Sequence, residues 1–176
     1  MRKLIVYLAL IAVALLAAGI YGAAHNQISY TVSPEYFTEL KFIQFGLIDA
    51  SVPERVRASM VGFLASWWMG FPFGIAAGLI GFIQPGYQKM LRVSLKAMGL
   101  AVVFTLLFGL CGLLYGFIQT SNIQNGGHVS WYVPGGVTNL RRFLCAGYMH
   151  NSAYLGGILS IPVAWTYQII CWSKDG

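Results

Sequence analysis

The side chains of this sequence best suited to chemistry are its histidines, His25, His128 and His150. Imidazole nitrogens ligate copper, zinc and haem iron, and Met149 and Cys145, close to the last of them, would add softer donors. No two of the three stand a helical turn apart, the spacing that marks a metal-binding helix, so the fold would have to gather them. A metal or haem site built from His25, His128 and His150 is therefore one expectation. Glu35 and Glu39 are a second constellation. Four residues apart on a helix they share a face, where like charges oppose each other unless a base is near. An acid pair of this kind can move protons or hold a cation. The plainer expectation is a charge network with Arg55, Arg57, Arg141 and Arg142.

Other chemistry is thinly represented. Cys111, Cys145 and Cys171 are too scattered for a disulfide framework or a zinc ribbon, and free cysteines usually pack as small apolar residues. No phosphate-binding glycine loop, nucleophile elbow or zinc-protease helix is present, and Gly126-Gly127-His128 has no strand-to-helix context. An enzyme is thus the less favoured class.

The elements that must position these residues are set by composition. Of 176 residues 57% are hydrophobic and 9% charged, against roughly a quarter charged in an average soluble domain. Such a chain cannot cover its own surface in water. The net charge of +6 comes from bases that flank apolar runs, where they act as topology signals, and no nucleic-acid partner is expected.

Apolar runs place membrane spans at about 4–24, 60–83, 97–118 and 153–172, with external segments at 25–59 and 119–152. The predicted fold is all-α, a single membrane domain built as a bundle of about four transmembrane helices. Gly22-Ala23-Ala24 would also suit a signal peptidase, but the first apolar run exceeds the roughly 7–15 residues of a signal core, so a retained span is expected. Between spans one and two, Ser33-Pro34-Glu35 reads as a helix start. A short helix should end near Gly46, with Tyr36, Leu40, Ile43 and Leu47 on the face that lies along the membrane surface. Ser51 and Glu54 match a capping box that opens the second span. Pro72 should kink that span, and Pro162 lies within the last.

Within the spans, Gly70, Gly74 and Gly78, and likewise Gly109, Gly112 and Gly116, form small-residue faces for helix packing, within one chain or between copies. Ser66, Thr105, Ser160 and Thr166 are the polar residues available inside, and each is expected to bond to backbone or a neighbouring helix. The absence of a charge deep in any span argues against coupled transport. Trp165, Tyr167 and Trp172 suit an interfacial aromatic belt.

Orientation is read from the bases. Arg2, Lys3, Lys89, Arg92, Lys96 and Lys174 fall on one side; Lys41, Arg55, Arg57, Arg141 and Arg142, with most of the acids, fall on the other. The first side is expected to be cytoplasmic, with both termini there.

The segment from Tyr30 to Thr38, YTVSPEYFT, followed by Lys41-Phe42 and Gln44-Phe45, resembles a segment of small uncharacterised bacterial multi-span membrane proteins; His150-Asn151 and Tyr154-Leu155-Gly156-Gly157 agree with it. The resemblance implies a bacterial inner-membrane protein and supplies no activity. The function expected from the sequence is a non-enzymatic bundle that binds a partner protein or a small ligand through its outer loops. Trp131-Tyr132-Val133-Pro134 would serve as contacts, and a membrane protein or a second copy of the chain as partner. The alternatives are the metal or haem site and a small channel or transporter through the kinked helices.

Overall fold

The structure, a computed structural model, describes residues 1–123 and 129–174. It is all-helical, and four helices are long and apolar enough to cross a membrane. The first, α1, runs over Arg2–Val32, about 46 Å at the usual rise per residue against a hydrocarbon core of about 30 Å. It continues a full two turns past the apolar run because His25, Asn26 and Ser29 are buried against other helices there.

The outer segment comes next. Ser33 accepts a hydrogen bond from the Tyr36 amide at 3.2 Å, the capping expected of it, and Gly46 closes the segment with φ +68°, a conformation that glycine adopts at least cost. Between them lie a π-helical turn, Phe37–Lys41, and a short α2, Phe42–Gln44. The π turn corrects the expected apolar stripe. Its wide ring carries one more residue than an α turn, and this rotates the downstream residues by about 100°. Phe37 and Phe42 are buried as a result, whereas Ile43 is 64% exposed.

The second span is α3 (Glu54–Ser66), a 3-10 turn (Trp67–Met69), α4 (Gly70–Ile80) and a second 3-10 turn (Gly81–Ile83). The expected capping box does not form. The helix starts behind Pro53 without a side-chain cap, because Glu54 accepts from the Tyr30 hydroxyl and lies 3.9 Å from Arg57. The first 3-10 turn falls one turn before Pro72, where the proline ring would meet the Trp68 carbonyl. The last two spans are α5 (Tyr87–Gln119) and α6 (Leu140–Ser173), the latter continuing through Pro162.

The α1 helix packs along α3 and α4, and α5 along α6. Both glycine faces are used within the chain. A Cβ on Gly70 would run into the Ala14 carbonyl, one on Gly74 would meet Ile11, and one on Gly78 would meet Tyr7; Gly109, Gly112 and Gly116 lie against Ala153, Ser152 and Tyr148 in the same manner. At one end Lys3 Nζ donates to the carbonyls of Phe82 at 3.0 Å and Gln84 at 2.6 Å, and Lys89 Nζ to that of Cys171 at 3.1 Å. The two chain ends and the α4–α5 turn therefore gather together. At the other end an aromatic core of Tyr36, Phe37, Phe42 and Phe143 seats the outer segment on α3 and α6. Leu8, Leu16, Ile20, Leu107 and Leu114 face outward, as lipid contact requires.

Candidate functional site

The last helical turns of α1 bring Tyr21, His25 and Asn26 to the centre of the molecule, and α6 brings His150 to meet them. The rings of His25 and His150 are 4.9 Å apart, edge to face. Tyr21 lies 5.7 Å from His25 on the far side, and Tyr36 of the outer segment stacks on His150 at 5.0 Å. The Lys41 ammonium sits 5.6 Å over the Tyr36 ring and donates to Gln44 at 2.9 Å. A column of rings thus leads inward from one cation. Burial holds the Lys41 ammonium below the ordinary lysine range.

Hydrogen bonds fix the state of this column. Asn26 donates to the Ala58 carbonyl at 3.0 Å, which leaves its side-chain oxygen toward His25 Nδ1, 3.4 Å away. His25 then carries its proton on Nδ1 and keeps a lone pair on Nε2. His150 Nε2 lies 3.1 Å from Ser29 Oγ. Among the described residues, two buried atoms here have no partner: His25 Nε2 and the Tyr21 hydroxyl. Leaving such groups unpaired costs about 1–3 kcal/mol each. Arg57 Nε and Gln84 Oε1 are also unpaired, but Arg57 stacks on Phe42 at 4.4 Å and Gln84 is at the opposite end of the molecule.

Tyr21 and His25 line one cavity between α1, α3, α4, α5 and α6, of about 130 Å³, far above the roughly 10–15 Å³ that one water needs. Along α1 it reaches from Asn26 to Ala14, about 18 Å. Spread over that length, its volume is a narrow slot. Its outer end carries Lys41, His25, His150, Tyr21 and Asn26; its deep end is Ala14, Gly70, Phe73, Met98 and Ala101. Thr105 and Ser160, also in the wall, bond to their own helix at 2.8 and 2.7 Å, so the deep end offers a ligand little but apolar surface. Among the described residues none that lines the cavity is acidic.

The structure brings some of the residues singled out from the sequence together and keeps others apart. His25 and His150 meet, while His128 lies outside the described residues. Among the described residues no group of three His, Cys, Asp or Glu side chains is placed to hold a metal ion, and with their centroids 4.9 Å apart the two rings leave no room for a haem plane between them. The six charged residues of the expected network do not pair with one another. Glu35 accepts from the Thr138 hydroxyl, from the Thr138 amide at 3.1 Å and from the Asn139 amide at 2.9 Å, just ahead of the first turn of α6. Glu39 accepts from Thr38 at 3.2 Å. Arg55, Arg57 and Arg141 lie over the rings of Tyr30, Phe42 and Phe117, and the Arg142 amide donates to the Asn139 side chain at 3.1 Å.

Trp131 is docked against Tyr148, ring centroids 4.7 Å apart, and Tyr132 is left exposed. Cys145 is buried, and all three cysteines are free. Tyr21, Asn26 and Lys41 were not singled out by residue type. Their signal is positional: Gly22, His25, Asn26 and Ser29 form one small and polar face at the end of an otherwise apolar helix. No protein-family model, no curated protein and no solved structure matches this chain.

Proposed function

We propose that this protein is a non-enzymatic membrane receptor or carrier that holds one small ligand inside the slot between its helices, the outer segment closing over the ligand's polar end. The observation that carries this reading is the cavity itself, walled by Tyr21 and His25, each of which also has a buried polar atom without a partner. A ligand head accommodated beside either atom would offset its desolvation cost. A conducting pore is less well supported, because the deep end of the slot presents alanine, methionine and phenylalanine where an ion would need polar groups.

The setting we propose is a bacterial inner membrane with both termini cytoplasmic. The basic residues of the end that gathers the termini support it. The resemblance of the Tyr30–Phe45 segment to bacterial membrane proteins points the same way.

Native mass spectrometry of the chain released from membranes tests the binding reading. The expected spectrum shows one small molecule retained per chain, and its loss when Ala18→Leu fills the slot. Bare chain from wild type and variant alike, under conditions that keep bound lipids on other membrane proteins, would overturn it.

A further inference from the structure

Opposite the face that lines the slot with Met98, Ala101 and Thr105, α5 turns a second stripe outward. From Ala97 to Ile118 the helix holds no charge, a length of about 32 Å that matches the hydrocarbon core of about 30 Å. Just before that stretch come Arg92 and Lys96, both exposed. They stand one helical turn apart on the same side of the helix, at the level of the lipid head groups. Neither has a hydrogen bond, an ion pair or a ring contact among the described residues. Arg2, Lys3 and Lys89 of the same end are engaged within the protein, over the Tyr87 ring and on the carbonyls of Phe82, Gln84 and Cys171. Of the five acids, Glu35, Glu39, Asp49 and Glu54 belong to the opposite end, and Asp175 lies outside the described residues. Two like charges a turn apart oppose each other; an anion held between them reverses the sign.

Nearly one turn further into the membrane stands Gly99. Among the described glycines of the helices, Gly99 alone has nothing within 4 Å of the place that a Cβ would take. The glycines of the two packing faces admit a neighbouring helix, whereas Gly99 admits no described residue of this chain, although glycine weakens a helix. Its notch lies on the outward stripe between the two bases and the exposed Val103 and Leu107. We propose that Arg92, Lys96 and Gly99 form a binding site for an anionic glycerophospholipid, distinct from the slot. The phosphate lies between the guanidinium, which binds it in a forked geometry, and the ammonium, which adds a point charge. The glycerol esters lie over Gly99, and the acyl chains run along Val103 and Leu107. A zwitterionic lipid brings its own cation to the head group and offsets this attraction.

Native mass spectrometry of the full chain, released from nanodiscs of equal parts phosphatidylglycerol and phosphatidylcholine with the same acyl chains, tests this. The expected spectrum retains one phosphatidylglycerol per chain, favoured about tenfold over phosphatidylcholine, the order expected of two bases at a membrane surface. Arg92→Gln combined with Lys96→Gln removes the preference. Arg2→Gln combined with Lys174→Gln takes the same charge from the same end and leaves it. Gly99→Leu, folded by its melting profile, keeps every charge and still lowers retention of phosphatidylglycerol. Equal retention of the two lipids by wild type would overturn the site. So would a preference that survives loss of Arg92 and Lys96, or one that falls as far with Arg2 and Lys174, since the lipid would then answer only to the net charge of that end.

Discussion

Glu35 shows how far a residue type carries and where it stops. By type and spacing it is half of an acid pair or a partner for arginines; in the structure its carboxylate receives the Thr138 hydroxyl and the amides of Thr138 and Asn139. Those partners lie more than a hundred residues along the chain, and nothing local announces them. Burial favours the neutral form of this carboxyl, but the hydrogen bonds outweigh burial and hold it below its ordinary range. A carboxyl that titrates lower in the folded than in the unfolded state contributes stability present above the ordinary carboxylate range and lost as pH falls through its folded value. Glu35→Gln should therefore lower stability at neutral pH by about 1 kcal/mol, a figure kept small because the group is only partly buried. It should also flatten the acid limb of a melting-temperature profile; an unchanged acid limb would mean that Glu35 plays no part in seating α6. Tyr21→Phe makes an opposite test. Removing a buried, unpartnered hydroxyl should leave the ligand-free protein as stable or more so, by up to about 1–3 kcal/mol, and should cost stability only when ligand is present. Thermal melts of ligand-free wild type and variant read the sign directly.

The elements were more legible than the residues that decorate them. Apolar runs located all four spans because period and length in a membrane leave few alternatives, and the glycine faces of α4 and α5 announced their packing. What escaped was the local trace of the chain. The π turn at Phe37–Lys41 reassigns the inward face of the outer segment, and it is stabilised by tertiary contacts of Phe37 and Phe42 that no local propensity encodes. The Gly22–Gly62 contact also escaped, although Gly62 continues the four-residue register of Gly70, Gly74 and Gly78 backward through Ser66, and Gly22 follows Ala14 and Ala18 at the same spacing. A Cβ on Gly62 would run into the Gly22 carbonyl, whereas one on Gly99 would meet open space. Gly62→Ala should thus destabilise by about 1–3 kcal/mol, and Gly99→Ala should be neutral or slightly stabilising, by up to about 1 kcal/mol. Unfolding of both variants in mixed micelles checks the contrast; equal effects would contradict the close crossing of α1 and α3.

At the scale of the whole molecule, the sequence indicated a membrane bundle with outer histidines but placed His25 and His150 in or beside loops. Folding carries both into the interior, because α1 and α6 extend well past their apolar runs and bury polar residues against each other. A site made where two helices overrun their apolar stretches leaves no contiguous motif, which is why the residues around the slot became visible as a group only in three dimensions. The central claim is that one small ligand lies in the slot beside Tyr21 and His25. Photo-crosslinking tests it most directly, with a photoreactive residue introduced at Ala18 in the slot wall or at the outward-facing Leu16 and the adducts identified by mass. The account predicts one small-molecule adduct from position 18 that position 16 does not give. The same lipid adducts at both positions, or none at position 18, would contradict it.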